Sequence, residues 1–399
     1  MNISQQFYIR NRRAAFGVIA SKVLIVSGNV SLQRSNDASY RFEQEANFWY
    51  LTGINEAGWT LVSEAEQSIL IAPDIDEMHR IFDGGLSFER AQEISGVDKI
   101  VSFTQGKEII KSLAKKYTHV ATLGDDPHKE HYNFFLNPGP VEMYKALVGI
   151  FEGVEDFRLA LAKLRAIKQP EEIEAIRKAI QVTADAFKDV KEKITDYAHE
   201  YEVEADFSYH FRSNGASGHA YDPIVAGGEN ACTLHYGENS EALNKGEFIL
   251  LDIGARVDGY AADITRTYAL GKVSERYQAV HGAVEKAHKE IIGLLHPGLS
   301  IIEYHEKVDL IMKAALVELG LLNNEKDYRI YFPHAVSHGL GIDVHDSLGR
   351  PEVFKSGMVL TVEPGIYIPE EGIGVRIEDD ILITDDGNEN LSGMLSTSL

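Results

Sequence analysis

Four acids of this sequence sit inside apolar runs, where an ionised carboxylate is costly to bury unless something cationic neutralises it. Asp252 and Asp263 lie in FILLDIGARVDGYAADITRTY, residues 248–268, the first directly after Ile249, Leu250 and Leu251. Glu363 and Glu378 lie in MVLTVEPGIYIPEEGIGVRIEDDILI, residues 358–383. Between these stretches runs FPHAVSHGLGIDVHD, residues 332–346, with His334, His338 and His345; His235 lies upstream in CTLHYGEN. A lone histidine is more often structural, whereas three within 334–345 read as a site. HAVSH lacks the Glu that follows the first His of a zincin helix, and Gly339 and Gly341 favour a loop there. Spacing alone leaves open which histidine serves. Four carboxylates with one imidazole make an oxygen-rich donor set suited to Mn²⁺, Co²⁺, Fe²⁺ or Zn²⁺. Two such ions side by side can deprotonate a water held between them, which is hydrolytic chemistry.

Those acids need elements that bring them together. Asp258-Gly259 is a two-residue hairpin turn between β-rich runs. Centred there, the hairpin sets Asp252 opposite Thr265 and Asp263 opposite Gly254, so the two acids become diagonal neighbours on one face. A second hairpin centred on Glu370 and Glu371 sets Glu363 opposite Glu378. Asp379 and Asp380 follow, and the face that matches Glu363 selects Glu378. The bland alternative is a set of solvated acids on edge strands.

A chain of 399 residues is long for one core, so two domains are expected. Residues 1–157 alternate short strands (Val23–Val26, Thr60–Val62, Ser68–Ile71, His119–Leu123) with helices (Phe88–Ile94, Glu108–Tyr117), an α/β pattern. GDD at 124–126 and NPGP at 137–140 read as turns. Residues 158–170 read as a helical linker ending at Pro170, with Glu171 and Glu172 in the next first turn. Residues 171–399 combine helices near 171–193, 277–295 and 302–320 with the acid-bearing hairpins, an α+β domain. The formal charge of −22 argues against a nucleic-acid binder. A single cysteine, Cys232, excludes an intrachain disulfide and a thiolate zinc site. The N-terminal run lacks a signal-peptide pattern and no stretch approaches 18 apolar residues, so a soluble cytoplasmic protein is expected.

AYDPIVAGGENACTLHYGEN, LLDIGARVDGYAADITRTY, FPHAVSHGLGIDVHD and TVEPGIYI…GIGVRIEDD together resemble the pita-bread metallopeptidases, in their aminopeptidase P and prolidase branch. RFEQEANFWYLTGINE, residues 41–56, is similar to that branch's N-terminal domain. The resemblance implies a C-terminal pita-bread domain, a curved antiparallel sheet with paired helices, preceded by a smaller creatinase-like α/β domain. It implies that Asp252 chelates one ion, that Asp263 and Glu378 bridge two, and that His338 and Glu363 complete the shells. Mn²⁺ is the first expectation. Glu363 is also implied as general base, His235 and His345 as contacts to the reacting carbonyl, and His334, Arg376, Tyr221 and Tyr367 as substrate-binding neighbours. The implied activity is release of an N-terminal residue that precedes proline; a Xaa-Pro dipeptidase is the alternative, and a metal-free relative the distant one. The resemblance further implies a homodimer or homotetramer, with Asp37 near a neighbouring subunit's site. Compared with relatives, the stretch between Tyr367 and Gly372 is short.

Overall fold

Asp258 and Gly259 both take left-handed backbone angles, φ +50° and +87°, in the computed structural model, as a primed hairpin turn demands. The structure describes residues 3–124, 133, 135–322 and 324–399. Contacts divide the chain into two units, Met1–Leu164 and Arg165–Leu399.

The first unit is built on a six-stranded mixed sheet. Its strand order is Lys99–Val101, Ser68–Ile71, Thr60–Ser63, Leu24–Ser27, His119–Thr122, Gly153–Asp156. Thr60–Ser63 pairs antiparallel with Leu24–Ser27 and with Ser68–Ile71, whereas Ser68–Ile71 with Lys99–Val101, Leu24–Ser27 with His119–Thr122, and His119–Thr122 with Gly153–Asp156 are parallel. Val23, Ile25, Val62, Ile71, Val120 and Leu147 form part of its core. Two expectations are corrected here. The helix expected from Glu108 begins at Phe103, because Ser102 and Gln105 make a capping box. Gly106 lies inside it: a Cβ there would stand 2.4 Å from Ile71, so glycine permits close helix–sheet packing. NPGP is a helix start rather than a plain turn. Asn137 caps Pro138–Val148, where proline lacks only an amide that the first turn would leave unpaired. Of GDD, residues 125 and 126 lie outside the described residues.

The second unit is a set of antiparallel ladders with helix pairs. Pro170–Glu192 packs on Glu200–Ser213, and Glu275–Ile292 packs on Ile301–Glu318. Pro170 sits in the first turn of its helix, which buries Ile176, Ile180, Phe187 and Val190; each such side chain contributes about 1.5–3 kcal/mol. After each helix pair comes a long hairpin whose legs are interrupted midway. In the first, Phe248–Asp252 pairs with Thr265–Ala269 and Ala255–Val257 with Tyr260–Ala261. In the second, Val359–Val362 pairs with Asp379–Ile383 and Gly365–Ile368 with Ile373–Arg376. Registers run unbroken across the interruptions, with Asp252 opposite Thr265 and Val362 opposite Asp379. The four acids fall at or beside the interruptions. Among the described residues no helix is long and apolar enough to cross a membrane.

Candidate metal centre

The interruptions turn the acids of both hairpins toward one another. Ligand atoms of Asp252, Asp263 and Glu378 lie within 4.8 Å of one another, as do those of His338, Glu363 and Glu378, and those of Asp263, His338 and His345. Asp263, His338 and Glu378 each belong to two of these sets, so the groups describe overlapping positions rather than one. Asp263 and Glu378 are buried, and Asp252 nearly so.

The electrostatics show a site short of positive charge. Burial lifts the Glu363 carboxyl to about 7, and the charges of Asp263 and Asp252 add to the rise against His338 and Arg376. Burial, then the charges of Asp263, Glu363 and Asp252, holds Glu378 well above the usual carboxylate range; Asp263 is raised by burial as well. Burial opposes protonation of His338, but its bond to Asp263 and the charge of Glu363 outweigh that and raise it to about 9. A divalent cation among these oxygens would relieve the mutual repulsion and displace the protons, so the donor set fits one.

His338 comes from a loop, as the glycines indicated. Its Nδ1 stands 3.0 Å from the Gly339 carbonyl, which assigns the proton there and turns Nε2 toward Asp263 and Glu363, 3.4 Å from each. Its ring lies 4.2 Å from that of His345. Burial, then the neighbouring His338 and His235, lowers His345 to about 4.

Arg376 joins the acids to the cleft wall. It donates to Asp252 at 2.5 Å and to the Tyr367 hydroxyl at 2.8 Å. Tyr367 in turn lies 2.9 Å from His334 Nε2, and His334 Nδ1 lies 2.7 Å from the Ala335 carbonyl. Burial, then the Arg376 charge, lowers His334 to about 4, so its ring is neutral and Nε2 accepts from Tyr367. Tyr221 donates to the other oxygen of Asp252 at 2.7 Å. His235 is exposed on the segment that follows Gly228–Cys232. Asp37 is exposed in the turn between Gln33–Ser35 and Ala38–Ser39 of the first unit.

Several supporting residues were not singled out from sequence. Thr265 donates to Glu378 at 2.6 Å, and Thr361 donates to Glu363 at 3.2 Å. Asp380 is buried and accepts from the Asp263 amide at 3.1 Å. Burial, then the charge of Asp263, holds it well above its ordinary range. Asp379 faces away from the cluster toward fully buried Arg266, 2.6 Å away. Arg266 also donates to the Glu378 carbonyl at 2.6 Å and the Leu395 carbonyl at 2.9 Å, tying the C-terminal segment to the back of the site. A buried arginine in a strand opposite an apolar run was the available signal.

The model of metallopeptidase family M24 matches residues 174–385, which include Asp252, Asp263, Glu363 and Glu378, and the model of the aminopeptidase P N-terminal domain matches residues 8–121. The chain belongs to metallopeptidase family M24. It is 34% identical to the Xaa-Pro aminopeptidase of Haemophilus influenzae over 97% of this chain and 94% of that one. Among solved structures it resembles the low-pH form of aminopeptidase P from E. coli, with TM-score 0.89 and 32% identity over 100% and 97% of the two chains. Zinc-substituted E. coli aminopeptidase P in complex with product is similar too, with TM-score 0.86 and 31% identity over the same shares. As an M24 protein the chain has an aminopeptidase P-type N-terminal domain followed by a pita-bread domain, an α+β architecture. Membership of a metallopeptidase family indicates divalent metal ions, which agrees with the chemistry of the donor set.

Proposed function

We propose that this chain is a metal-dependent Xaa-Pro aminopeptidase that removes the N-terminal residue preceding proline. The observation that carries the reading is the overlap of donor sets at Asp263, His338 and Glu378, which supports two ions rather than one. In this reading Asp252 holds one ion, Asp263 and Glu378 are shared, and His338 and Glu363 complete the second position. An oxygen-rich set with one imidazole favours Mn²⁺, with Co²⁺, Zn²⁺ and Fe²⁺ also suited. When bound, the ions supply Lewis-acid activation of water and neutralise charge on the reacting carbonyl.

The chain's own residues do the rest. Glu363, set within the donor cluster, is suited to take a proton from the attacking water and pass it to the proline nitrogen. That nitrogen carries no hydrogen in the substrate, so it must gain one to leave. His235 and His345 donate to the carbonyl oxygen as it gains charge. Neutral His334, held by Tyr367, lines the cleft beside the proline, and Arg376 and Tyr221 keep both oxygens of Asp252 oriented. Asp37, exposed at its turn, supports a homodimer or homotetramer in which it reaches a neighbouring subunit's site. The lone cysteine supports a cytoplasmic setting.

The direct test strips the protein of metal and adds Mn²⁺ back to the parent and to Asp263→Asn, with a Xaa-Pro-Yaa peptide as substrate. Turnover should return in the parent and fall by at least roughly a hundredfold in the variant, more than loss of a supporting hydrogen bond achieves. Full activity of Asp263→Asn would break the two-ion reading.

A further inference from the structure

The segment that carries His235 is held at both ends by one buried carboxylate. Glu200, in the first turn of Glu200–Ser213, has no exposed surface. Its Oε1 accepts from the Gly227 amide at 2.8 Å and Asn230 Nδ2 at 2.9 Å. Its Oε2 accepts from the Tyr236 hydroxyl at 2.8 Å and the Glu241 amide at 2.9 Å. One oxygen thus grips the start of segment 227–241 and the other grips its end. The backbone adds to the grip, since the Glu200 amide donates to the Glu241 carbonyl at 3.0 Å.

These four partners are neutral donors, so the buried carboxylate is satisfied by hydrogen bonds rather than by an ion pair. Each oxygen has two donors, and losing the acid would leave buried N–H groups unpaired. A second anchor lies nearby. Buried Asn239, at φ +46°, accepts from the Val225 amide and donates to Glu204 and to the Pro223 carbonyl, each at 2.9 Å. His235 lies between the two gripped ends, next to Tyr236.

We propose that Glu200 is a positioning residue that fixes His235 over the reacting carbonyl by holding both ends of its segment. Glu200 touches no substrate. The assignment rests on the reading of His235 as a substrate contact, and it makes an otherwise exposed histidine geometrically defined. A displacement of about 1 Å at such a group lowers the rate by up to about a hundredfold.

The test measures kcat and KM for a Xaa-Pro-Yaa peptide with Mn²⁺-loaded Glu200→Gln, Tyr236→Phe, His235→Ala and the two doubles that include His235→Ala. Tyr236→Phe removes one hydroxyl from a partly exposed side chain, so it decides the matter if Glu200→Gln does not fold. The single variants at 200 and 236 should lower kcat by roughly a hundredfold and roughly tenfold, respectively. Added to His235→Ala, either should lower activity by no more than about twofold, because the group being positioned is gone. Amide exchange across 227–241 should rise in both variants while the rest of 165–399 stays protected. Full, multiplicative losses in the doubles would show that Glu200 acts elsewhere and overturn the assignment, as would parent-like activity of both single variants. Parent-like activity of His235→Ala would remove the substrate role of His235 and this assignment together, while leaving metal-dependent turnover standing.

Discussion

Thr265 and Thr361 do for the acids what no sequence pattern announces. Thr265 Oγ1 donates to Glu378 and accepts from Arg376 Nε at 3.2 Å, so one hydroxyl orients an acid shared between two donor sets and the arginine that holds Asp252. Thr361 Oγ1 donates to Glu363 and accepts from the His338 amide at 3.1 Å. Each glutamate is thereby aimed before any ion arrives, which is how outer partners raise the affinity of a metal site. Thr265→Val keeps the shape and removes the hydroxyl. Divalent-ion affinity, measured by calorimetric titration of the metal-free protein, should fall by about 10- to 100-fold with the melting temperature of that protein little changed. Unchanged affinity would show that Glu378 is oriented by the backbone alone.

At the scale of elements, the interrupted hairpin is the device that gathers the acids, and glycine makes the interruption. A Cβ on Gly254 would stand 1.8 Å from the Ala262 carbonyl oxygen across the hairpin, a contact with backbone that cannot yield cheaply. Gly254→Ala should therefore destabilise the protein by about 3 kcal/mol and weaken metal binding with it, since Asp252 and Asp263 flank the bend. A variant melting within a degree of the parent would contradict this. Much of this element was legible from the chain. The Asp258-Gly259 turn dictates that Asp252 faces Thr265, and the acids around 370–371 centre the second hairpin; both registers are those observed. What stayed hidden is what non-local contact decides. Nothing in either hairpin says that the other will meet it, so the choice of His338 from three histidines came only through resemblance. Helix Glu200–Ser213 was not anticipated because its apolar residues, Tyr201, Val203, Ala205, Phe207, Tyr209 and Phe211, alternate with polar ones as in a strand; it buries Glu200, Val203, Phe207 and Phe211. The Thr265 and Arg266 supports were hidden because their partners lie 113 and 112 residues away in sequence.

For the whole molecule, the unneutralised centre ties stability to pH and metal. The folded chain raises Glu363 from 4.5 to about 7 and His338 from 6.5 to about 9, so each binds its proton more tightly than in the unfolded chain. The stability each contributes is complete below its unfolded value and is lost as pH rises through the folded one. Metal-free protein should accordingly lose stability between about pH 5 and 9, first through Glu363 and then through His338. Bound ions compete with these protons and bind better as pH rises. Chelation should therefore lower the melting temperature more at about pH 8 than at about pH 5.5; an equal or larger drop at the lower pH would contradict the charge balance drawn here. The central claim is that this centre serves aminopeptidase chemistry at a Xaa-Pro bond. Its most direct test is a length series, comparing Xaa-Pro with Xaa-Pro-Yaa and longer peptides while Mn²⁺ is titrated into metal-free protein. Metal-dependent release of the first residue from the tripeptide and longer substrates is expected. Hydrolysis confined to the dipeptide, or turnover indifferent to metal, would contradict it.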